Sequence, residues 1–321
     1  MHFNRASTAL LLTSLTLVVS TLVAVRLGSV NLPLSDPIVW NLRLPRIILG
    51  IAVGAGLAIA GCILQAVMRN VLADPYIVGV HSGASCGAAT VLLFGTATGA
   101  SVQLSAFLGA LVATTLIFVF SRTGGQLTSS RLLLAGVAIG YAFSAVTSFM
   151  VFASDSPEAS RSVMFWLLGS LSLAQWDTSL ALVFVVLVLS TAILTLIAPR
   201  IDALALGDTT ALSLGINPSR FRAVLLLIAC LLIGSVVALS GAIGFVGLVV
   251  PHFARHLVGA RHRATIPLSG LLGALLIVWA DVGARTLLPP QEIPIGIITA
   301  LMGTPFLLFL IRRHRSLTES M

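Results

Sequence analysis

The sequence predicts an all-α polytopic membrane protein of about ten transmembrane helices, a single domain over residues 1–321 with both termini in the cytoplasm. Three observations carry that prediction. Hydrophobic residues make up 58% of the chain and charged ones 9%, where soluble domains are about a quarter charged; the mean hydropathy is +1.09. Apolar windows recur along the whole length, each near the roughly 20 residues that cross a hydrocarbon core. Finally, all 18 basic residues are arginines, and they gather at the ends of those windows.

The windows run 7–27, 45–68, 76–96, 101–121, 131–153, 177–199, 220–240, 243–258, 264–286 and 293–312. Met1–Leu27 has one early arginine and then an apolar run longer than a signal peptide's, with no A-x-A site, so it is expected to stay as the first span. With the termini inside, thirteen arginines (5, 69, 122, 131, 200, 220, 222, 255, 261, 263, 312, 313 and 315) face the cytoplasm. Five (26, 43, 46, 161 and 285) face out. That bias chooses the orientation. In the second window Gly50/Gly54 and Ala52/Gly56 stand four apart, a small-residue face suited to close helix packing in lipid.

Two loops are more than connectors. The outer one, Ser154–Asp177, holds F-W-L-L-G-S-L-S-L-A, too short to span and too apolar for water; a half-buried helix is expected over about 163–174. The inner one, Arg200–Arg222, reads as two short amphipathic helices over about 202–216. Gly207 ends the first, Asp208 N-caps the second and Gly215 ends it, presenting a surface for docking. The bland alternative is a long connection.

The eighth window belongs to Gly241–His256, G-A-I-G-F-V-G-L-V-V-P-H-F-A-R-H. Gly241, Gly244 and Gly247 permit close approach, Pro251 breaks the helix ladder, and His252, Arg255 and His256 give a basic exit. It reads as a short, packed span running inward.

Composition and motifs exclude several functions. Scattered arginines at span ends do not form a nucleic-acid footprint. A chain without lysine cannot contain G-x-x-x-x-G-K-[ST], so any ATP is hydrolysed elsewhere. Ionisable residues are nearly absent from span centres, against an ion-coupled mechanism. The exceptions lie near span ends: Asp281 and Arg285, one turn apart at the outer end of the ninth span, and Asp74 and His81 at the inner end of the third. Neither paired catalytic aspartates nor H-E-x-x-H is found, and Cys62, Cys86 and Cys230 are far apart. No catalytic residue, metal or cofactor is therefore expected in this chain. On the outer face, Arg43 and Arg46 in R-L-P-R and Arg285 either snorkel to the interface or pair with acidic residues on a soluble partner.

Six stretches, in order from residue 43 to the end, then carry a resemblance. They are R-L-P-R-I-I-L-G-I-A-V-G-A-G-L-A-I-A-G from Arg43, R-N-V-L-A-D-P-Y-I-V-G-V-H-S-G-A from Arg69 and L-A-L-G-D-T-T-A-L-S-L-G-I from Leu204. The others are G-A-I-G-F-V-G-L-V-V-P-H from Gly241, A-D-V-G-A-R from Ala280 and E-I-P-I-G-I-I-T-A-L-M-G-T-P-F from Glu292. The sequence resembles the FecCD/BtuC-like permeases, membrane subunits of type II ABC importers for iron–siderophore complexes, haem and cobalamin. The resemblance implies a BtuC-like fold in the bacterial cytoplasmic (inner) membrane. It also implies a homodimer with the path along its axis, lined by 131–153 and 293–312. Two ATPase subunits, holding the ATP and magnesium, would sit on Asp202, Gly207, Asp208, Ala211, Leu214 and Gly215. A periplasmic or lipid-anchored binding protein would pair its carboxylates with Arg43, Arg46 and Arg285. Gly241, Gly244, Gly247, Pro251 and His252 belong to the family motif. Gly28–Leu42 is shorter than in relatives, and Val71 stands where a proline usually follows Asn70. The expected cargo is an iron–siderophore complex, with haem and then cobalamin behind it. The rivals are an ion-coupled secondary transporter and a membrane scaffold.

Overall fold

Backbone amides in lipid must find their partners within their own segment, and helix accordingly takes most of the chain. The computed structural model describes residues 2–28, 33, 35–75, 79–95, 99–123 and 126–318. Its helices are α1 (His2–Arg26), α2 (Leu44–Met68, entered through a π-helical turn over Val39–Arg43), α3 (Val80–Phe94), α4 (Gly99–Ser121) and α5 (Ser129–Phe152). Then come α6 (Pro157–Leu167), α7 (Thr178–Leu196), α8 (Ala198–Leu206), α9 (Asp208–Ser213) and α10 (Pro218–Ser240). The last are α11 (Val246–Val258), α12 (His262–Thr286) and α13 (Ile295–Thr318). A two-residue antiparallel ladder, Arg122 against Leu127 and Thr123 against Gln126, joins α4 to α5.

Among the described residues, seven segments are long and apolar enough to cross a membrane: Arg5–Arg26, Val39–Met68, Val102–Ser121, Ser129–Phe152, Thr178–Leu196, Pro218–Ser240 and His262–Thr286. The other three windows hold shorter apolar helices, Val80–Phe94, Val246–Val258 and Ile295–Leu308.

α2 is the axis of the bundle: 21 of its 25 residues are buried. Its small residues let α12 and α11 reach its backbone, since a methyl group on Gly54 would strike the carbonyl of Gly273, and one on Gly61 that of Gly247. The small-residue face expected from sequence is therefore a backbone contact. At its C-terminus α2 stops at Arg69, whose φ of 49° is left-handed. The turn there closes despite Val71, because Asn70 accepts from the Leu72 amide through its side chain (2.9 Å) and from the Ala73 amide through its carbonyl (3.1 Å).

Two expectations change. The outer half-buried helix lies earlier than 163–174: Ser156 accepts from the Ala159 amide (3.3 Å) and Pro157 starts α6. α6 stops before Gly169, whose φ is +75°, and 170–176 form a loop that buries Leu171 and Ala174. The apolar run there is packed irregular backbone, which hydropathy alone does not distinguish from helix. Second, the eighth window is helical only from Val246; Gly241–Phe245 cross as loop. At 1.5 Å per residue, α11 covers about 20 Å, against about 30 Å of hydrocarbon.

Pro251 breaks one rung of the helix ladder, as expected, while α11 runs on through it. Proline at 251 deprives the Gly247 carbonyl of its amide partner four residues on. Gln65 of α2 replaces it, its Nε2 donating to the carbonyls of Gly247 (3.2 Å) and Leu248 (3.3 Å). The Gln65 Oε1 in turn accepts from Arg255, so this arginine of the basic exit is half-buried and anchored on the central helix.

Candidate functional site

Between α7 and α10, α8 and α9 form a small platform. Pro199 opens α8, and Ile201, Ala203 and Leu204 bury one face. Gly207, at φ +135°, reverses the chain between the two helices. α9 ends in a left-handed turn at Gly215 (φ +73°), where the Ile216 amide donates to Ala211 (2.9 Å) and the Gly215 amide to Leu212 (2.9 Å). These are the two bonds of a Schellman close, as Gly215 suggested from sequence.

Asp208 does something other than the capping expected of it. It is the first residue of α9, and its side chain caps no amide there. Its carboxylate instead grips Arg222, with Nη2–Oδ1 at 2.5 Å and Nη1–Oδ2 at 3.1 Å, while Arg69 stands 3.5 Å away. Arg222 is 1% exposed and also donates to the Leu127 carbonyl (3.0 Å). Such burial is tolerable only for a guanidinium whose donors are engaged. Hydrogen bonding to Arg222 holds the Asp208 carboxyl below the usual range against a smaller opposing effect of burial, with the charges of Arg222 and Arg69 adding to it.

Asp202 anchors the other helix. Its Oδ1 accepts from the His262 amide (3.0 Å) and meets His262 Nδ1 at 2.5 Å. A carboxylate from α8 thus sits at the N-terminus of α12, where the helix dipole favours it. Burial pushes the Asp202 carboxyl up, but the hydrogen bonds from His262 outweigh this and leave it lowered.

The six residues assigned to this surface from sequence therefore divide. Asp202, Asp208 and Ala211 face inward as anchors, Gly207 and Gly215 shape the turns, and Leu214 faces out. Sequence reasoning passed over Leu206 and Leu212, which with Leu214 are 78%, 59% and 64% exposed. Their signal was available: leucines flanking a helix-breaking glycine in a loop otherwise polar enough for water.

Near the C-terminal end of α12, Arg43, Arg46 and Arg285 come together, and their own chain engages all three. Arg46 Nε lies 2.8 Å from Asp281 Oδ1, and its Nη1 donates to both oxygens of Glu292 (3.0 and 2.9 Å). Arg285 Nε lies 3.1 Å from Asp281 Oδ2, the one-turn pair anticipated from spacing. Arg43 donates to the carbonyls of Val25 (3.2 Å) and Arg26 (3.3 Å), and Arg285 reaches that of Ala24 (3.5 Å). These are the last carbonyls of α1, which lack helical partners. Arg43, Asp281 and Arg285 are buried, and Glu292 is the exposed member. Among the described residues, Nη1 of Arg285 has no hydrogen-bond partner. A cavity of about 930 Å³ opens beside the cluster, lined by Arg46, Asp281 and Glu292 together with Gln103, Arg161 and Asp177.

Beside that cavity three irregular segments cross. The Ser170 amide donates to Ser240 (2.8 Å), and the Gly296 amide to Leu168 (3.0 Å). Gly241 (φ +65°) lies against the Trp166 carbonyl, where a side chain would not fit. Gly244 is half-buried in the same crossing. Phe245 holds φ +68°, which a bulky residue adopts only under constraint, and its ring fills the space over Gly303 of α13. Further along, His252 meets Phe306 edge-on at 5.7 Å, and Phe253 stacks on it at 4.8 Å. The Gly241–His252 motif thus joins α11 to α13. Among the described residues, no group of three or more His, Cys, Asp or Glu could hold a metal ion.

Residues 6–313 match the FecCD transport family. The haemin transport system permease protein HmuU of Yersinia pestis is 43% identical over 285 residues, 86% of this chain and 84% of its own length. The cobalamin import system permease protein BtuC of Halobacterium salinarum is 43% identical over 276 residues, 86% of this chain and 73% of its own. A solved structure described as an inward-facing conformation of a metal-chelate type ABC transporter superposes with a TM-score of 0.88. It is 34% identical and covers 96% of this chain and 99% of that one.

Proposed function

We propose, from the premise that this chain belongs to the FecCD transport family, that it passes an iron–siderophore complex inward as one half of a homodimeric permease. The chain is a multi-pass inner-membrane permease of an ABC importer, of the class that carries an iron chelate, haem or cobalamin. In the finer reading it crosses the membrane ten times, the three short apolar helices included, with both termini in the cytoplasm. The binding protein selects the cargo.

The observation that carries this reading is the inner platform. Three leucines face away from the bundle on helices whose inward residues are pinned to α2, α10 and α12. An exposed apolar patch outside the spans suits a partner, and the pinned residues suit transmission of that partner's movement. The partner proposed is an ATPase subunit carrying ATP and magnesium. Outside, a binding-protein carboxylate would exchange with Glu292, the exposed partner of Arg46.

The test is reconstitution in proteoliposomes with the co-expressed ATPase and binding protein. Cargo uptake should require ATP and both partners, and Leu212→Asp/Leu214→Asp should abolish ATPase assembly while leaving insertion intact. Uptake by the chain alone, driven by an ion gradient, would overturn the proposal. The ligand found on the purified binding protein decides between siderophore, haem and cobalamin.

A further inference from the structure

Two observations meet along α4 and α10. The helices leave between them an apolar cavity of about 340 Å³, bounded by Leu64, Leu111, Phe118, Leu226 and Ile233. Val224 and Leu227 on its rim are 50% and 54% exposed, so it opens sideways towards lipid. Its wall offers no free hydroxyl: Thr114 donates to Ala110 (2.8 Å) and Thr115 to Leu111 (2.8 Å), leaving methyl groups in the groove. The Cys230 thiol, also in the wall, is engaged with Thr114 (2.9 Å).

The second observation is charge at the end where α4 finishes and α10 begins. Arg122 holds its guanidinium 4.1 Å from the centre of the Phe118 ring, and Arg220 stands one turn ahead of Val224, on the same helix face. Both are exposed, and neither joins an ion pair among the described residues. The Leu127 amide donates to Ser219 (3.1 Å), so the ladder that begins at Arg122 is fastened to the start of α10.

We propose that this groove binds an anionic phospholipid of the surrounding bilayer, one acyl chain filling the cavity and the phosphate lying between Arg122 and Arg220. Apolar walls at membrane depth suit a chain. Guanidinium groups suit phosphate, to which they donate in pairs. The arginine bias puts this end at the cytoplasmic surface, where anionic headgroups attract such side chains.

The test places the full chain in nanodiscs of phosphatidylcholine containing a minor share of phosphatidylglycerol and counts retained lipid by native mass spectrometry. Wild type should keep phosphatidylglycerol in preference to phosphatidylcholine. Each arginine replaced by alanine should weaken retention about fivefold (~1 kcal/mol), and R122A/R220A together about 25-fold. Ala223→Trp, which blocks the groove with both arginines intact, should also release the lipid. Inorganic phosphate should displace none. Equal retention of the two lipids, retention by R122A/R220A, or displacement by phosphate would each overturn the proposal. Because both arginines are exposed, an unchanged helix content and melting temperature should accompany the loss, and R122A/R220A alone is decisive if Ala223→Trp misfolds.

Discussion

Arg222 shows how one residue decides what a neighbour is for. Asp208 looks like an N-cap by its place after Gly207, but a guanidinium with 1% exposure claims its carboxylate first. Arg222→Met should cost about 2 kcal/mol in chemical or thermal unfolding of the detergent-solubilised protein, because the Leu127 carbonyl and Asp208 lose their donor together. The pair also has a pH signature. The folded carboxyl of Asp208 lies below its unfolded value, so its contribution is complete above the unfolded pKa of about 4 and is lost as pH falls through the folded value. Asp208→Asn should flatten the acid limb of stability against pH and leave the neutral limb shifted down but parallel. A wild-type acid limb retained in the variant would remove Asp208 from this role. At the other end, Arg46→Gln should weaken binding-protein capture, more at low salt than at high. Affinity measured by surface plasmon resonance at two ionic strengths checks this.

Among the elements, α2 and α11 depend on each other through one substitution of partners. Gln65→Leu strands the Gly247 carbonyl and removes the acceptor of Arg255, and should cost about 1–3 kcal/mol. Pro251→Ala restores the missing helical amide, so the double variant should recover part of the loss. A double-mutant cycle on unfolding free energies measures the coupling directly, and strict additivity would show that Gln65 and Pro251 act separately. The glycines make a parallel case. Gly54→Leu would drive a side chain into the Gly273 backbone, and overpacking of this kind costs about 1–3 kcal/mol where the wall can shift. Backbone walls shift least, so the top of that range is expected.

Across the whole molecule, α12 spans both candidate surfaces. Its first residue is held by Asp202 of the inner platform, and its last turns carry the Asp281–Arg285 pair that engages Arg46. Asp202→Asn keeps the shape of the cap and removes its charge. In proteoliposomes it should lower cargo uptake per ATP hydrolysed, while ATPase binding to the exposed leucines persists. An unchanged ratio would show that α12 does not carry the coupling. The ten-span topology has its own check: a cysteine introduced at Thr318 should react with a membrane-impermeant thiol reagent only in inside-out vesicles.

Hydropathy, arginine placement and the position of glycine and proline identified a polytopic helical protein by themselves, because burial in lipid demands long apolar runs whatever their neighbours. The same logic placed Asp281 and Arg285 together, since one helical turn sets their distance, and it found Gly215 at a helix end. Partners distant in sequence were decided only by tertiary structure. No local pattern says that Gln65 replaces the amide Pro251 lacks, that Arg222 reaches Asp208, or that the outer arginines bind α1 carbonyls and Glu292. The irregular crossing at Gly169 and Gly241, against the start of α13, was hidden for a related reason: apolar residues packed in a loop and in a helix give the same hydropathy. Sequence sets which segments leave water. Packing sets which polar groups they then satisfy.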